Sequence, residues 1–153
     1  SMKIFSFFGS SSSGKTTIIS NIISELSGSM RIGYIKNIPH DNISLDTEHK
    51  DTWRMENAGA YKIYGLAPSR TYSMVRKETS PDEIIDKEND VDIFIIEGFR
   101  AFEKSIKFLV LGHEDYLGIW HDYTIKATNR TYEGEYIKYP EEFHKIISIL
   151  KAP

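Results

Sequence analysis

Eight residues near the start of the chain, Gly9-Ser10-Ser11-Ser12-Ser13-Gly14-Lys15-Thr16, fit the pattern G-x-x-x-x-G-K-[ST], which constrains the fold more than any other string in the sequence. The pattern has chemical meaning only where a strand runs into the loop and a helix leaves it. Both flanks are legible. Lys3 to Phe8 is short, apolar and aromatic and stops at Gly9, as a buried strand does. From Thr16 onward, Ile18, Ile19, Ile22, Ile23 and Leu26 recur at helical spacing and Gly28 supplies a stop, which predicts a helix with one buried face. In such a loop Gly9 and Gly14 permit backbone geometry and close approach that a Cβ would block, and the small serines leave room for an anion among inward-pointing amides. The helix start adds its unsatisfied N–H groups and positive dipole end. Lys15 then supplies a full charge for β- and γ-phosphates, Thr16 a hydroxyl for Mg²⁺, and Thr17 a further phosphate contact.

The rest of the chain extends this unit into an α/β domain. Arg31 to Lys36 reads as a second strand, and the intervening helix predicts that it is a parallel neighbour of the first. Asn37 to Lys50 is a long polar loop, Asp51 to Ala60 a short helix, and Tyr61 to Leu66 with Arg70 to Val75 a strand pair broken at Pro68. Ser80-Pro81-Asp82-Glu83 combines a cap, a first-turn proline and first-turn acids, which predicts a helix to about Lys87. Val91 to Ile96 suits a central strand, Ile106 to Leu111 another, and Gly118 to Trp120 and Tyr123 to Ala127 two more. Pro140 and two glutamates open a last helix with Phe143, Ile146, Ile147 and Leu150 as its stripe. The expected fold is a P-loop NTPase, a mostly parallel sheet flanked by helices, with an additional strand pair in the middle of the chain. Its 153 residues, with Ser1 set aside as left over from protein production, are expected to form one domain over 2–153.

Composition narrows the function. With 19 Lys and Arg against 22 Asp and Glu, the net charge of -3 supports neither general nucleic-acid binding nor a polybasic membrane surface, so any positive site is local. The longest apolar runs fall far below the ~18 residues of a membrane span. The absence of cysteine removes thiol catalysis and thiolate metal sites and fits a reducing cytoplasm.

A P-loop needs a second magnesium-side group, and Glu97, at the end of Ile93-Phe94-Ile95-Ile96, is the best-placed acid; Asp92 stands at the wrong end of that strand. His40, Asp41, Asp46, His49, Lys50 and Asp51 follow the second strand and could position water, reach the Mg²⁺ shell or grip phosphate, or equally form a solvated loop. No His/Asp spacing there resembles a zinc site. His113 and His121 read as surface or satisfied side chains, and Trp53 and Trp120 as core or interface. No Asn-Lys-x-Asp string is present, so the residues leave the base open.

Several strings in order resemble the molybdopterin-guanine dinucleotide biosynthesis protein B family: Gly9 to Thr17, Lys36 with His40, Asp46 followed by Lys50-Asp51-Thr52-Trp53-Arg54, Ala58-Gly59-Ala60, and Asp92 to Glu97 continuing into Gly98-Phe99-Arg100. The resemblance covers roughly residues 3–111. It implies GTP with Mg²⁺ at the P-loop, slow or no GTP hydrolysis, and an accessory role beside the guanylyltransferase that joins GMP to molybdopterin. A homodimer and a molybdopterin-containing partner are implied by the same resemblance. By position, Lys15 and Thr16 hold phosphate and Mg²⁺, Glu97 takes the acidic catalytic and metal role, and Asp51 and Arg100 become site residues. The chain departs from the family pattern at Asn37-Ile38-Pro39 and at His49, where a glycine is common. Two rival readings keep the same P-loop: a small-molecule kinase with Asp51 as general base, and a non-enzymatic nucleotide switch.

Overall fold

Short apolar runs in the central strands and a three-to-four-residue repeat in the longer helices accompany the order β1 (Lys3–Phe8), α1 (Lys15–Leu26), β2 (Ile32–Lys36), α2 (Asp51–Asn57), β3 (Lys62–Ala67), β4 (Arg70–Val75), α3 (Pro81–Lys87), β5 (Ile93–Glu97), β6 (Ile106–Leu111), β7 (Tyr123–Lys126), β8 (Ile137–Lys138) and α4 (Phe143–Lys151). The computed structural model describes residues 2–113 and 116–153, which leaves Ser1 outside it. The chain divides into two compact units, residues 1–37 with 84–153, and residues 38–83.

In the first unit six strands form one sheet in the order β2-β5-β1-β6-β7-β8, with every neighbouring pair parallel. β1 and β2 are therefore not the neighbours that the strand-helix-strand pattern predicted, although they run parallel in one sheet. β5 is inserted between them because all five of its residues are buried, which suits a strand covered on both faces and paired on both edges. Gly33 of β2 makes that insertion fit: a Cβ there would meet the Phe94 ring at 2.3 Å. One face of the sheet carries Phe5, Phe7, Ile95, Phe108, Val110 and Ile125 beneath Ile18, Ile22 and Leu26 of α1 and Ile146 and Leu150 of α4. Phe7 stacks on Phe108 with ring centroids 4.6 Å apart, and Phe108 on Tyr123 at 5.2 Å, an aromatic row across three strands. The opposite face buries Phe8, Leu109 and Leu111, and separately Ile35, Phe94 and Ile96, under loops and α3. Ile22 is fully buried, so Ile22→Val is expected to lower unfolding free energy by about 1 kcal/mol. A denaturant midpoint shift at constant slope checks this.

Residues Gly118–Trp120 form a turn rather than the expected strand, and Trp120 is 76% exposed, not core. The last strand is instead β8, only two residues long and too short to announce itself by alternation.

The second unit holds α2 and the β3–β4 antiparallel pair, joined by Pro68 and Ser69. Within α2, β3 and β4 Ile63 is the one buried apolar side chain, while Tyr64, Leu66 and Tyr72 stand well exposed. Ser80 and Glu83 form the expected reciprocal cap, the Ser80 hydroxyl accepting from the Glu83 amide and the Glu83 carboxylate from the Ser80 amide, both at 3.2 Å. No helix among the described residues is long and apolar enough to cross a membrane.

Candidate functional site

Because the six strands run parallel, their carboxyl ends share one edge, where β1 opens into the loop from Gly9 to Gly14 and α1 begins. The two glycines are required for different reasons. A Cβ on Gly9 would meet the Val110 carbonyl oxygen at 2.2 Å, whereas one on Gly14 would make only an ordinary contact with the Ala127 Cβ at 3.7 Å, but Gly14 sits at φ 94 and ψ 12, the left-handed geometry that turns the loop into the helix. A third glycine shapes the same cradle. At Gly112, just beyond β6, a Cβ would meet the Ser10 hydroxyl oxygen at 2.1 Å and the Ser13 Cα at 3.3 Å. The hydroxyls of Ser10 and Ser13 are buried without a hydrogen-bond partner. Orphaned polar atoms of this kind are costly unless a ligand or water meets them. No acidic residue occupies the first turn of α1, so nothing on that helix cancels the positive field at its start.

Lys15 folds back over the loop, its ammonium donating to the carbonyls of Gly9 at 2.9 Å and Ser10 at 2.8 Å. Burial lowers its pKa, Glu97 raises it and Lys36 lowers it again. Lys15 and Lys36 thus share one edge of the sheet with a single buried carboxylate to set against their two charges, a balance that favours an anionic ligand. Ser11, Ser12 and Thr17 are exposed at the loop and the first turn of α1.

Glu97 is 6% exposed at the end of β5, level with Lys36 on one side and Phe7 on the other. Its carboxylate accepts the Thr16 hydroxyl on Oε2 at 3.2 Å and the Tyr34 phenol on Oε1 at 2.5 Å. Burial, and next the bond to Glu97, hold the Tyr34 phenol above its ordinary range. Backbone bonds hold the main chain at Glu97 from both sides, the Asn37 amide donating to the Glu97 carbonyl and the Gly98 amide to the Phe7 carbonyl, each at 3.0 Å. Gly98 at φ 94 and Phe99 at φ 50 then turn the chain sharply, with a Cβ on Gly98 excluded by Asn37 at 2.9 Å.

The pairing of Thr16 with Glu97 was legible in the sequence; Tyr34, Lys36 and Gly112 were not assigned roles there. The signal for the last was a glycine closing an apolar strand. Arg100 is placed differently from the phosphate-side residues: its guanidinium lies over the Tyr116 ring at 4.2 Å, and its carbonyl accepts from the buried Lys107 ammonium at 2.8 Å. Asp51 opens α2 in the second unit and is exposed. Asp46 braces its own loop, accepting the Thr52 hydroxyl and the Thr47 amide, both at 2.8 Å, and these bonds lower its pKa. His49 adopts φ 70 with its ring 4.9 Å from that of Trp53, so the departure from glycine leaves a bulky residue in left-handed backbone. His121 is satisfied, one ring nitrogen 2.8 Å from the Ile119 carbonyl and the other 3.1 Å from the Thr124 hydroxyl.

Among the described residues no group of three or more His, Asp or Glu could hold a metal ion. A hydroxyl and one carboxylate are nonetheless the protein share that Mg²⁺ takes when phosphate oxygens and waters complete an octahedron. Thr16 and Glu97, with the orphaned serine hydroxyls and the glycine-lined cradle behind them, fit that group.

Topology and loop together place the chain in the P-loop class of α/β proteins. The family within that class follows from comparison: the sequence profile described as molybdopterin guanine dinucleotide synthesis protein B matches residues 4–114, and the chain belongs to that family. It is similar to the molybdopterin-guanine dinucleotide biosynthesis adapter protein of Haemophilus influenzae, at 33% identity over 98 residues, 60% of this chain and 54% of that protein. The chain thus spans about half the length of that curated relative. The fold is shared with the crystal structure of Bacillus subtilis MobB, with a TM-score of 0.72, 21% identity and 99% of each chain covered. A MobB homologue from Bacillus stearothermophilus gives a TM-score of 0.67 at 14% identity, covering 96% of this chain and 94% of that one.

Proposed function

We propose that this chain is a GTP- and Mg²⁺-binding accessory protein of molybdenum cofactor biosynthesis, working in the cytoplasm beside the guanylyltransferase that attaches GMP to molybdopterin. The observation that carries the nucleotide reading is the Thr16–Glu97 pair at the mouth of a loop whose Lys15 is folded onto its own carbonyls. An arriving β- or γ-phosphate would offer Lys15 better acceptors than those carbonyls, and Thr16 and Glu97 are the residues that would hold Mg²⁺, which would neutralise phosphate charge. The choice of guanine is supported by the family's role in guanine dinucleotide synthesis. Slow hydrolysis is supported by the state of Glu97, which two hydroxyls engage, making it a metal-side acceptor rather than a free general base. The phosphate and metal site lies wholly in the first unit, and the whole chain acts as one nucleotide-binding domain. Asp51 and Arg100 are the residues of this reading with least support, since Arg100 is engaged by Tyr116. A homodimer is supported by the apolar side chains that β3 and β4 leave exposed.

Calorimetry with GTP and ATP, each with and without Mg²⁺, tests the nucleotide reading. GTP is expected to bind more tightly than ATP and more tightly with Mg²⁺ than without; an ATP preference overturns the guanine assignment. Formation of molybdopterin guanine dinucleotide by the guanylyltransferase should accelerate when the chain and GTP are added together, and an unchanged rate overturns the accessory role. Sedimentation at micromolar concentration reads the dimer directly.

A further inference from the structure

Tyr34 belongs to no phosphate-binding pattern, yet it touches the carboxylate on which the metal reading depends. It lies on β2 in the parallel β2–β5 pair, where Tyr34 is level with Ile95 and Lys36 with Glu97, so its ring reaches Glu97 along the diagonal. The two oxygens of one buried carboxylate are divided between two donors. The phenol holds Oε1 at 2.5 Å from a sheet strand, and Thr16 meets Oε2 at 3.2 Å from the first turn of α1. The shorter contact comes from the element that does not belong to the phosphate loop. A cation at Thr16 and Oε2 would share that oxygen with the Thr16 hydroxyl, whereas the Tyr34 bond lies on the other oxygen and need not change.

We propose that Tyr34 is a positioning residue of the metal site: by holding Oε1 it presents Glu97 through Oε2 alone and so favours Mg²⁺ over Ca²⁺. The proposal rests on the reading of Thr16 and Glu97 as the metal-side pair. Mg²⁺ demands near-ideal octahedral geometry, keeps several waters and is content with one oxygen of a carboxylate. Ca²⁺ accepts more ligands at longer distance and often takes both oxygens of a carboxylate. With Oε1 already accepting the Tyr34 phenol, turning both oxygens onto one cation would pull that oxygen away from its donor and weaken the bond. Partners behind a metal ligand commonly tune its metal in this way.

The test is a fluorescent guanine nucleotide titrated with Mg²⁺ and with Ca²⁺ on the parent chain, Tyr34→Phe and Glu97→Gln. Tyr34→Phe keeps the ring and removes the donor. Its Mg²⁺ midpoint is expected to rise about tenfold while the Ca²⁺ midpoint moves much less, so the preference for Mg²⁺ shrinks. A parent-like midpoint and metal ratio in Tyr34→Phe, with the Mg²⁺ response lost in Glu97→Gln, overturns the role of Tyr34 and leaves the metal-side pair standing. A parent-like Mg²⁺ response in Glu97→Gln instead overturns the pair itself. The unmodified chain provides a test that no folding defect can obscure: a preference for Ca²⁺ over Mg²⁺ at equal concentration overturns the proposal.

Discussion

Lys15→Ala is expected to keep the melting temperature of the parent to within a few degrees and to bind GTP with Mg²⁺ about a hundredfold more weakly. In the free protein the Lys15 ammonium makes two bonds, to the carbonyls of Gly9 and Ser10, and both lie in a partly exposed loop where water can replace it. The folded state therefore loses little. The bound state loses charge-assisted bonds to phosphate oxygens, worth roughly 1.5–3 kcal/mol each, and two of them amount to a factor of about a hundred or more in affinity. The charge also has a pH signature. Binding needs the ammonium, and burial has lowered its pKa, so affinity falls as pH rises through a range below that of a free lysine. A phosphate neighbour raises the pKa again, so binding on the alkaline limb takes up protons. Calorimetry in two buffers of different ionisation heat reads that uptake. Retention of parent affinity in Lys15→Ala would place the nucleotide somewhere other than this loop.

The parts of the fold and site that were legible in the sequence are those set by local pattern. The strand into Gly9, the stripe of Ile18, Ile19, Ile22 and Leu26, the cap at Ser80 and the acid ending an apolar run at Glu97 each need only a few consecutive residues to declare themselves. What failed was pairing across distance. The order β2-β5-β1 depends on β5 burying both faces and on Gly33 giving way to the Phe94 ring, neither of which local spacing encodes. Tyr34 escaped for the same reason, since its partner Glu97 becomes a neighbour only after β5 has been inserted beside β2. Gly118 to Trp120 failed in the opposite direction. Its apolar residues suggested a strand, but Ile119 packs toward Leu109 and Leu111 from a turn while Trp120 points to solvent. Asp51 and Arg100 had come from position within a family pattern, and the structure gives Arg100 a partner of its own in Tyr116.

The glycines of the loop make the sharpest ordering. Gly9→Ala is expected to cost about 3 kcal/mol of stability, the upper end of ordinary overpacking, and to abolish nucleotide binding. The atom in the way is the Val110 carbonyl oxygen, 2.2 Å from where the Cβ would sit. That carbonyl belongs to β6, which is hydrogen-bonded into the sheet between β1 and β7, so relief would require moving a central strand rather than a side chain. The Ser13 hydroxyl at 3.2 Å adds a second, softer obstacle on the loop itself. Gly14→Ala meets no such wall, its nearest neighbour being the Ala127 Cβ at 3.7 Å. Its cost is conformational, about 1–2 kcal/mol for placing a Cβ in left-handed backbone at φ 94. The two variants therefore separate space from conformation within one motif, and denaturant unfolding of both measures the difference. An equal or greater loss in Gly14→Ala would mean that β1 and β6 yield more easily than their central position implies, and that the loop's backbone conformation, rather than its packing against Val110, is the constraint that Gly9 answers.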